Sequence, residues 1–454
     1  MRVYYLLLIV LISSCSKDEM FLEVQEKMND NTTKKEVGLS VTQNDVDIIY
    51  PVSQEALTSS IYHFPAKVHM ESNGQEYIIH NPSARLVGNT FEHVPPIQMK
   101  RVGDKWVLDK IYDFERYNVK IGNSRNIDVI NNNTYLVSDA AELPGGVGVD
   151  GQDYLVTMNN GELSWTKINQ DKRWSHDISG GDLNGDGLMD VVSASPLSIY
   201  IQNSDKPLEF TKKNDLYKWE QRISAFAVEV ADVFGDSVPE IITGGYYGSG
   251  DSLERNNLAI YSFNVQTKQF EIVFDNENPN IFFNQYEDLG ATSIEVHDFN
   301  GDGKKDIAIA RESHFNSKPM RTIEVWENKS PKDKCDFGKL DKISYTQDQL
   351  DFTEFICKDV NNDGNIDIIL NGNGRGNLIR SQNNTTFKLN HLIHLNDGKG
   401  KFSPFSGRSL DVDGDPDYLY PIMRNNKLSF FGTKTKHNIP GGIKVTYWDV
   451  NTNL

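Results

Sequence analysis

Three stretches of the chain repeat one nine-residue pattern: Asp182-Leu-Asn184-Gly-Asp186-Gly-Leu188-Met-Asp190, Asp298-Phe-Asn300-Gly-Asp302-Gly-Lys304-Lys-Asp306 and Asp359-Val-Asn361-Asn-Asp363-Gly-Asn365-Ile-Asp367. Each reads D-x-N-x-D-G-x-x-D and runs straight into an apolar stretch (Val191-Val192, Ile307-Ala-Ile309, Ile368-Ile-Leu370). Side-chain oxygens at positions 1, 3 and 5 of a tight loop converge on one point. Gly at position 6 permits the reversal, the backbone carbonyl at position 7 (Leu188, Lys304, Asn365) adds a donor, and Asp at position 9 closes the cage. An all-oxygen set at the spacing of the first half of an EF-hand loop suits a hard cation, so Ca²⁺ is expected. Two weaker copies follow the same series. Asp232-Val-Phe-Gly-Asp236-Ser-Val-Pro-Glu240 lacks the ligand at position 3 and the Gly, and Asp411-Val-Asp413-Gly-Asp415 has no clear position 9. Three calcium sites are therefore expected, and up to five.

The first ligands at 182, 232, 298, 359 and 411 stand 50, 66, 61 and 52 residues apart. A period of about 50 residues or more is that of propeller blades, one four-stranded sheet per repeat. An alternating strand enters each loop, as in Ser293-Ile-Glu-Val-His297, and another leaves it. Two earlier blades can be drawn without a loop. One spans 126–168, through Ile127–Ile130, Tyr135–Val137, Tyr154–Met158 and Glu162–Lys167, and the other spans 66–112. Two early blades and five looped ones predict an all-β chain with seven four-stranded blades.

The loops, the strands around them and the turn Asn396-Asp397-Gly398-Lys-Gly400-Lys-Phe402 resemble the FG-GAP/VCBS repeats of the integrin α-type β-propeller, most clearly over residues 175–425. The resemblance implies that the metal loops join the two inner strands of each blade and brace the fold, and that ligand binds on the opposite face.

The N-terminus has the form of a targeting segment. Arg2 precedes the apolar run Val3–Ile12, too short to span a bilayer, which ends in Ile12-Ser-Ser-Cys15. Small residues directly before Cys resemble a bacterial lipobox, with 1–14 as signal peptide and Cys15 as the lipidated residue. Ser16-Lys17-Asp18-Glu19 resembles the signal for display on the outer face of the outer membrane. Polar residues complete a tether over 15–45, leaving 46–454 for the propeller.

The formal charge is −18, but the five loops hold sixteen carboxylates, and five Ca²⁺ would bring the balance to about −8. The acidity is mostly site chemistry. Nothing resembles a basic stripe, so no nucleic-acid partner is expected. Cys335 and Cys357 remain after processing, either as a disulfide or, for Cys357, as a buried thiol.

No G-x-S-x-G, H-E-x-x-H or P-loop pattern is present. Each metal loop supplies its whole ligand set, so the metal is expected to be structural. The long connections Gly244–Asn256, Asp275–Gly290, Glu312–Met320 and Ser330–Gln349 all fall on the face opposite the loops, where a rigid scaffold carries binding function. Trp174, Tyr246, Tyr247, Phe282, Phe283 and Tyr286 are candidates to stack on sugar rings there. Arg173, Arg311, His314 and Arg375 are candidates to hold anionic groups. The expectation is a lipid-anchored surface propeller binding an extracellular glycan or protein, as in adhesion. Two alternatives stay open: a polysaccharide lyase or hydrolase on the same face, and a scaffold subunit of an outer-membrane complex.

Overall fold

The computed structural model describes residues 38–49 and 66–453, apart from short stretches of which the longest are 141–150, 169–174, 214–224, 246–257, 276–287 and 436–441. Among the described residues, seven antiparallel sheets form the four-stranded blades of a β-propeller, the seventh sheet being extended by the two-residue strand Gly372–Asn373. Blades 1 to 6 are sequential meanders over 66–111, 124–167, 178–212, 225–275, 288–346 and 355–404. Both early blades lie where the alternating pattern places them.

Blade 7 is built differently. Its inner three strands are Tyr418–Arg424, Lys427–Thr435 and Gly442–Asn453, and its outer strand is Gly38–Ile49. Gly38 pairs with Asn453 and Ile49 with Gly442 in an unbroken antiparallel register. Residues 38–45, expected as tether, are thus part of the propeller, and the two ends of the domain close the ring together. Side chains reinforce the closure from within. The Arg424 guanidinium grips Glu76 of blade 1 with two bonds of 3.1 Å and Asp449 with one of 2.8 Å, while it lies over the Trp106 ring. A buried fork of this kind fixes geometry as well as charge.

The core lies between blades. Alternation along each strand sends one set of side chains to the preceding blade and the other to the following one. Ile242 and Ile260 of blade 4 pack against Ile294 and Ile307 of blade 5. Met99 and Trp106 of blade 1 meet Tyr420 and Tyr447 of blade 7. Each buried aliphatic side chain contributes roughly 1.5–3 kcal/mol. Neighbouring backbones come so close that a Cβ on Gly244 would stand 2.4 Å from the Ala291 Cβ, which accounts for glycine there.

The four loops at 182, 232, 298 and 359 each join the first and second strands of a blade. The position-9 acid (Asp190, Glu240, Asp306, Asp367) is the first residue of the second strand. The fifth match departs from this. Asp411–Asp413 forms a two-stranded sheet with Thr386–Lys388, outside blade 7, whose first strand begins only at Tyr418. Asp411 and Asp413 therefore do not stand in an inter-strand metal turn, and Asp415 lies outside the described residues.

Candidate functional site

The four loops share one hydrogen-bond scaffold. The position-1 carboxylate accepts backbone N–H groups from the turn it begins. Asp182 Oδ1 takes Gly185 and Asp186 at 2.8 and 3.0 Å, and Oδ2 takes Gly187 at 2.8 Å. Asp232 and Asp298 repeat all three bonds, and Asp359 repeats those from Asp363 and Gly364. Asn184, Asn300 and Asn361 each accept the N–H two residues on. Asp186, Asp302 and Asp363 accept that of Leu188, Lys304 and Asn365, whose carbonyls belong to the same turn. The side chains at positions 3 and 5 come within hydrogen-bond reach in two loops, Asn184 to Asp186 at 3.1 Å and Asn361 to Asp363 at 2.8 Å. Gly187, Gly303 and Gly364 take φ of +81°, +87° and +88°, as the pattern requires, whereas Ser237 holds +73° in the loop that lost its glycine. An all-oxygen donor set held by its own turn fits a Ca²⁺ ion at 182, 298 and 359; the 232 loop offers one donor fewer.

Position 9 has a role the sequence pattern did not reveal. Asp190, Asp306 and Asp367 are fully buried. One oxygen of each accepts the position-2 N–H (Leu183, Phe299, Val360), and the other accepts an N–H from the third strand (Gln202, Asn328, Asn396). The acid ties its loop to its blade. Burial is the main influence on these groups, reinforced by the loop aspartates, and it pushes Asp190 and Asp367 up to about 7 and Asp306 to about 6. A further tie runs between blades. Asn328 Nδ2 donates to the Val233 carbonyl in the loop of blade 4 at 3.0 Å, and Asn396 Nδ2 donates to the Phe299 carbonyl in the loop of blade 5 at 2.8 Å. The loops are thus part of the blade-to-blade contact.

A second polar assembly lies on the inner strands, which adjoin one another around the propeller axis. Asp128 Oδ2 accepts the Gly180 N–H at 2.8 Å and the Ser179 hydroxyl at 3.0 Å, and Asp177 Oδ2 accepts the Val228 N–H at 2.8 Å. Ser179 in turn accepts the Val230 N–H. Burial pushes Asp128 up to about 6 and raises Asp177 and Glu229 well above the carboxylate range. Glu295 and His297 are hydrogen-bonded at 3.0 Å on the inner strand of blade 5, close to Cys357 on that of blade 6. Apart from Cys357, the sequence pattern did not single out these residues. The available signal was a polar residue three places before the first aspartate in successive repeats, namely Ser179, Glu229 and Glu295.

The strand ends that bracket 246–257 and 276–287 lie at the ends of blades 4 and 5 away from the loops. Trp174, Tyr246, Tyr247, Phe282, Phe283, Tyr286, Arg173 and Arg375 fall outside the described residues, as does Cys15. Three expectations about this face are corrected. Ser330–Gln349 is no long connection, because Phe337–Thr346 within it is the fourth strand of blade 5. Glu312–Met320 is no long loop, because the second strand of blade 5 runs to Phe315 and the third starts at Lys318; His314 sits on that hairpin, opposite Pro319. Arg311 is 1% exposed and ion-paired with Glu324 at 3.3 Å, so it is an internal group and not a ligand contact. Cys335 and Cys357 are free thiols and form no disulfide.

Residues 182–243 match the family model described as an FG-GAP-like repeat. A comparison with curated proteins gave no match. Among solved structures, the chain resembles the Dos1 propeller at 12% identity and a TM-score of 0.42, covering 86% of this chain and 96% of that one. It also resembles the Nup170 N-terminal domain in its complex with Nup53 from Chaetomium thermophilum, at 7% identity and a TM-score of 0.36. That match takes in 68% of this chain and less than half, 46%, of the nucleoporin chain.

Proposed function

We propose that this seven-bladed propeller, which carries an FG-GAP-like repeat, is a surface lipoprotein that binds an extracellular ligand while Ca²⁺ in its inter-strand loops braces the ring. One observation supports the reading most. The four loops repeat a single hydrogen-bond scaffold at one end of the blades, while long connections such as 140–153, 246–257 and 276–287 leave from the other end. Uniform turns carry structure, and varied connections on a rigid scaffold carry recognition.

In the 182, 298 and 359 loops the ion would be held by the side chains at positions 1, 3, 5 and 9 and the position-7 carbonyl, where it offsets repulsion among the carboxylates. The chain's own residues do the rest. Asp190, Asp306 and Asp367 fasten each loop to its blade, and Asn328 and Asn396 carry that order to the preceding blade. The opposite face, with Trp174, Tyr246, Tyr247, His314 and Arg375, would take the ligand. Glycan is the first candidate on the strength of those aromatic side chains. The lyase or hydrolase alternative loses support because Arg311, the cation it would draw on, is buried against Glu324.

The test passes the soluble chain from residue 20 onward, with calcium, over immobilised plant, host and microbial polysaccharides, scoring retention and chain cleavage together. Retention without cleavage is expected. Cleavage would replace the binding reading with an enzyme, and the absence of both retention and cleavage would move the ligand to the protein class. Anchoring is tested separately: Cys15→Ala should release the full chain from the membrane fraction.

A further inference from the structure

We propose that Glu295, His297 and Cys357 form a binding site for a divalent transition-metal ion of the Zn²⁺ class, distinct from the hard-cation loops, where the inner strands of blades 5 and 6 meet. Glu295 and His297 stand two apart on one strand, so their side chains leave the same face. Their donor atoms are 3.0 Å apart, and both lie within 4.8 Å of the Cys357 sulfur. Two nitrogen or oxygen donors on a tetrahedral Zn²⁺ stand about 3.3 Å apart, and a sulfur stands about 3.5 Å from either. The carboxylate–imidazole pair is already at that separation, and the thiol closes by rotation of about an ångström.

The donor types argue for this class of ion. Thiolate and imidazole favour Zn²⁺ or Co²⁺ over Ca²⁺, which takes oxygen. One thiolate and one carboxylate neutralise the dication. Glu229 on blade 4 is near enough to act electrostatically on both Glu295 and Cys357, and burial holds the Cys357 thiol above its ordinary range, so metal binding there must release the thiol proton. Apolar packing gives no reason for a thiol to face two carboxylates. Entry is open, since the Glu295 and His297 side chains keep 30% and 29% of their surface exposed. Three protein donors leave a fourth position for water or for a donor atom of a bound molecule.

The test titrates Co²⁺ into the protein held in excess Ca²⁺, and follows the near-ultraviolet thiolate-to-cobalt charge-transfer band. One equivalent should give the band, Zn²⁺ should abolish it, and further Ca²⁺ should not. Cys357→Ser should remove it, His297→Gln should weaken Co²⁺ affinity at least tenfold, and Cys335→Ser should leave it intact. No band, or a band that survives Cys357→Ser or vanishes in Cys335→Ser, overturns the assignment. Should Cys357→Ser fail to fold, His297→Gln and Glu295→Gln decide instead, and wild-type Co²⁺ affinity in both rejects the site.

Discussion

The tie between blades makes a quantitative prediction at Asn396. Its side chain is 4% exposed and makes four bonds. Nδ2 donates to the Phe299 carbonyl at 2.8 Å and the Ile366 carbonyl at 3.0 Å, and Oδ1 accepts from Gly398 and Gly400 at 3.0 and 3.1 Å. Asn396→Ala strands two acceptors and two donors in a site with little room for water. At a net loss of about 1 kcal/mol per bond, the cost is about 3–4 kcal/mol. Unfolding entropy of about 2.1 cal/mol/K per residue gives ~0.8 kcal/mol/K over ~400 residues, so the melting temperature should fall by about 4–5 °C. Asn264→Ala is the control. Its side chain bonds only within its own hairpin, accepting from Gln266 and Thr267 and donating to Glu271 in exposed bonds that water can replace, so the loss should stay near 1 °C. Differential scanning calorimetry in calcium and again in chelator reads both variants. Equal shifts for the two would refute the claim that the loops join the blades through this side chain.

Other consequences can be checked alongside. Burial raises Asp128 from 3.8 to about 6, so in the folded state it stays protonated where the unfolded chain has already ionised. Its contribution is intact below pH 4 and is lost as pH rises through 6, by about 3 kcal/mol at most. Asp128→Asn keeps the bonds from Gly180 and Ser179 and should flatten the fall in urea stability between pH 4 and 7; an unchanged slope counts against it. Arg311→Met should destabilise by about 3 kcal/mol because the buried Glu324 then keeps only its longer contacts to Lys339 and Lys342, at 3.4 and 3.9 Å, and Arg311→Met with Glu324→Leu should recover most of that. Failure of the double variant to recover would show that the pair is not the source of the loss. Asp298→Ala should lower calcium stoichiometry by one ion in calorimetric titration, whereas Asp411→Ala should not change it. Ser237→Gly relieves a positive φ and should raise stability by roughly 0.5–1 kcal/mol, read from the urea midpoint.

Much of the fold was legible because the repeat carries its own punctuation. An acid-rich turn between two apolar strands marks the inner edge of a blade, and alternation at Tyr135–Val137 and Tyr154–Met158 shows a blade even without the turn. Other features depended on partners far away in sequence. Ser40, Thr42, Gln43, Asn44 and Asp45 read as linker because an outer strand needs apolar residues on one side only, and its partner strand begins at Gly442. Asp411 and Asp413 satisfy the spacing of a metal turn, yet lack the two inner strands that such a turn must join. Arg311 read as a loop cation because the strands of blade 5 run longer than their neighbours'. Position 9 read only as a ligand because the pattern shows a carboxylate but not the two N–H groups that also tie it to its blade.

The pairing of Gly38–Ile49 with Gly442–Asn453 has a kinetic side. Six blades are local meanders whose strands meet soon after they are made, but the seventh waits for both ends of the chain. Closing a segment of ~400 residues adds an entropic barrier that grows only with the logarithm of length, so the step is feasible but comes after the local ones. Until then the outer edge of Gly442–Asn453 has no partner. Hydrogen exchange during refolding should therefore show blade 7 gaining protection last, and synthesis from the N-terminus must leave Gly38–Ile49 unpaired until its last-made partner arrives.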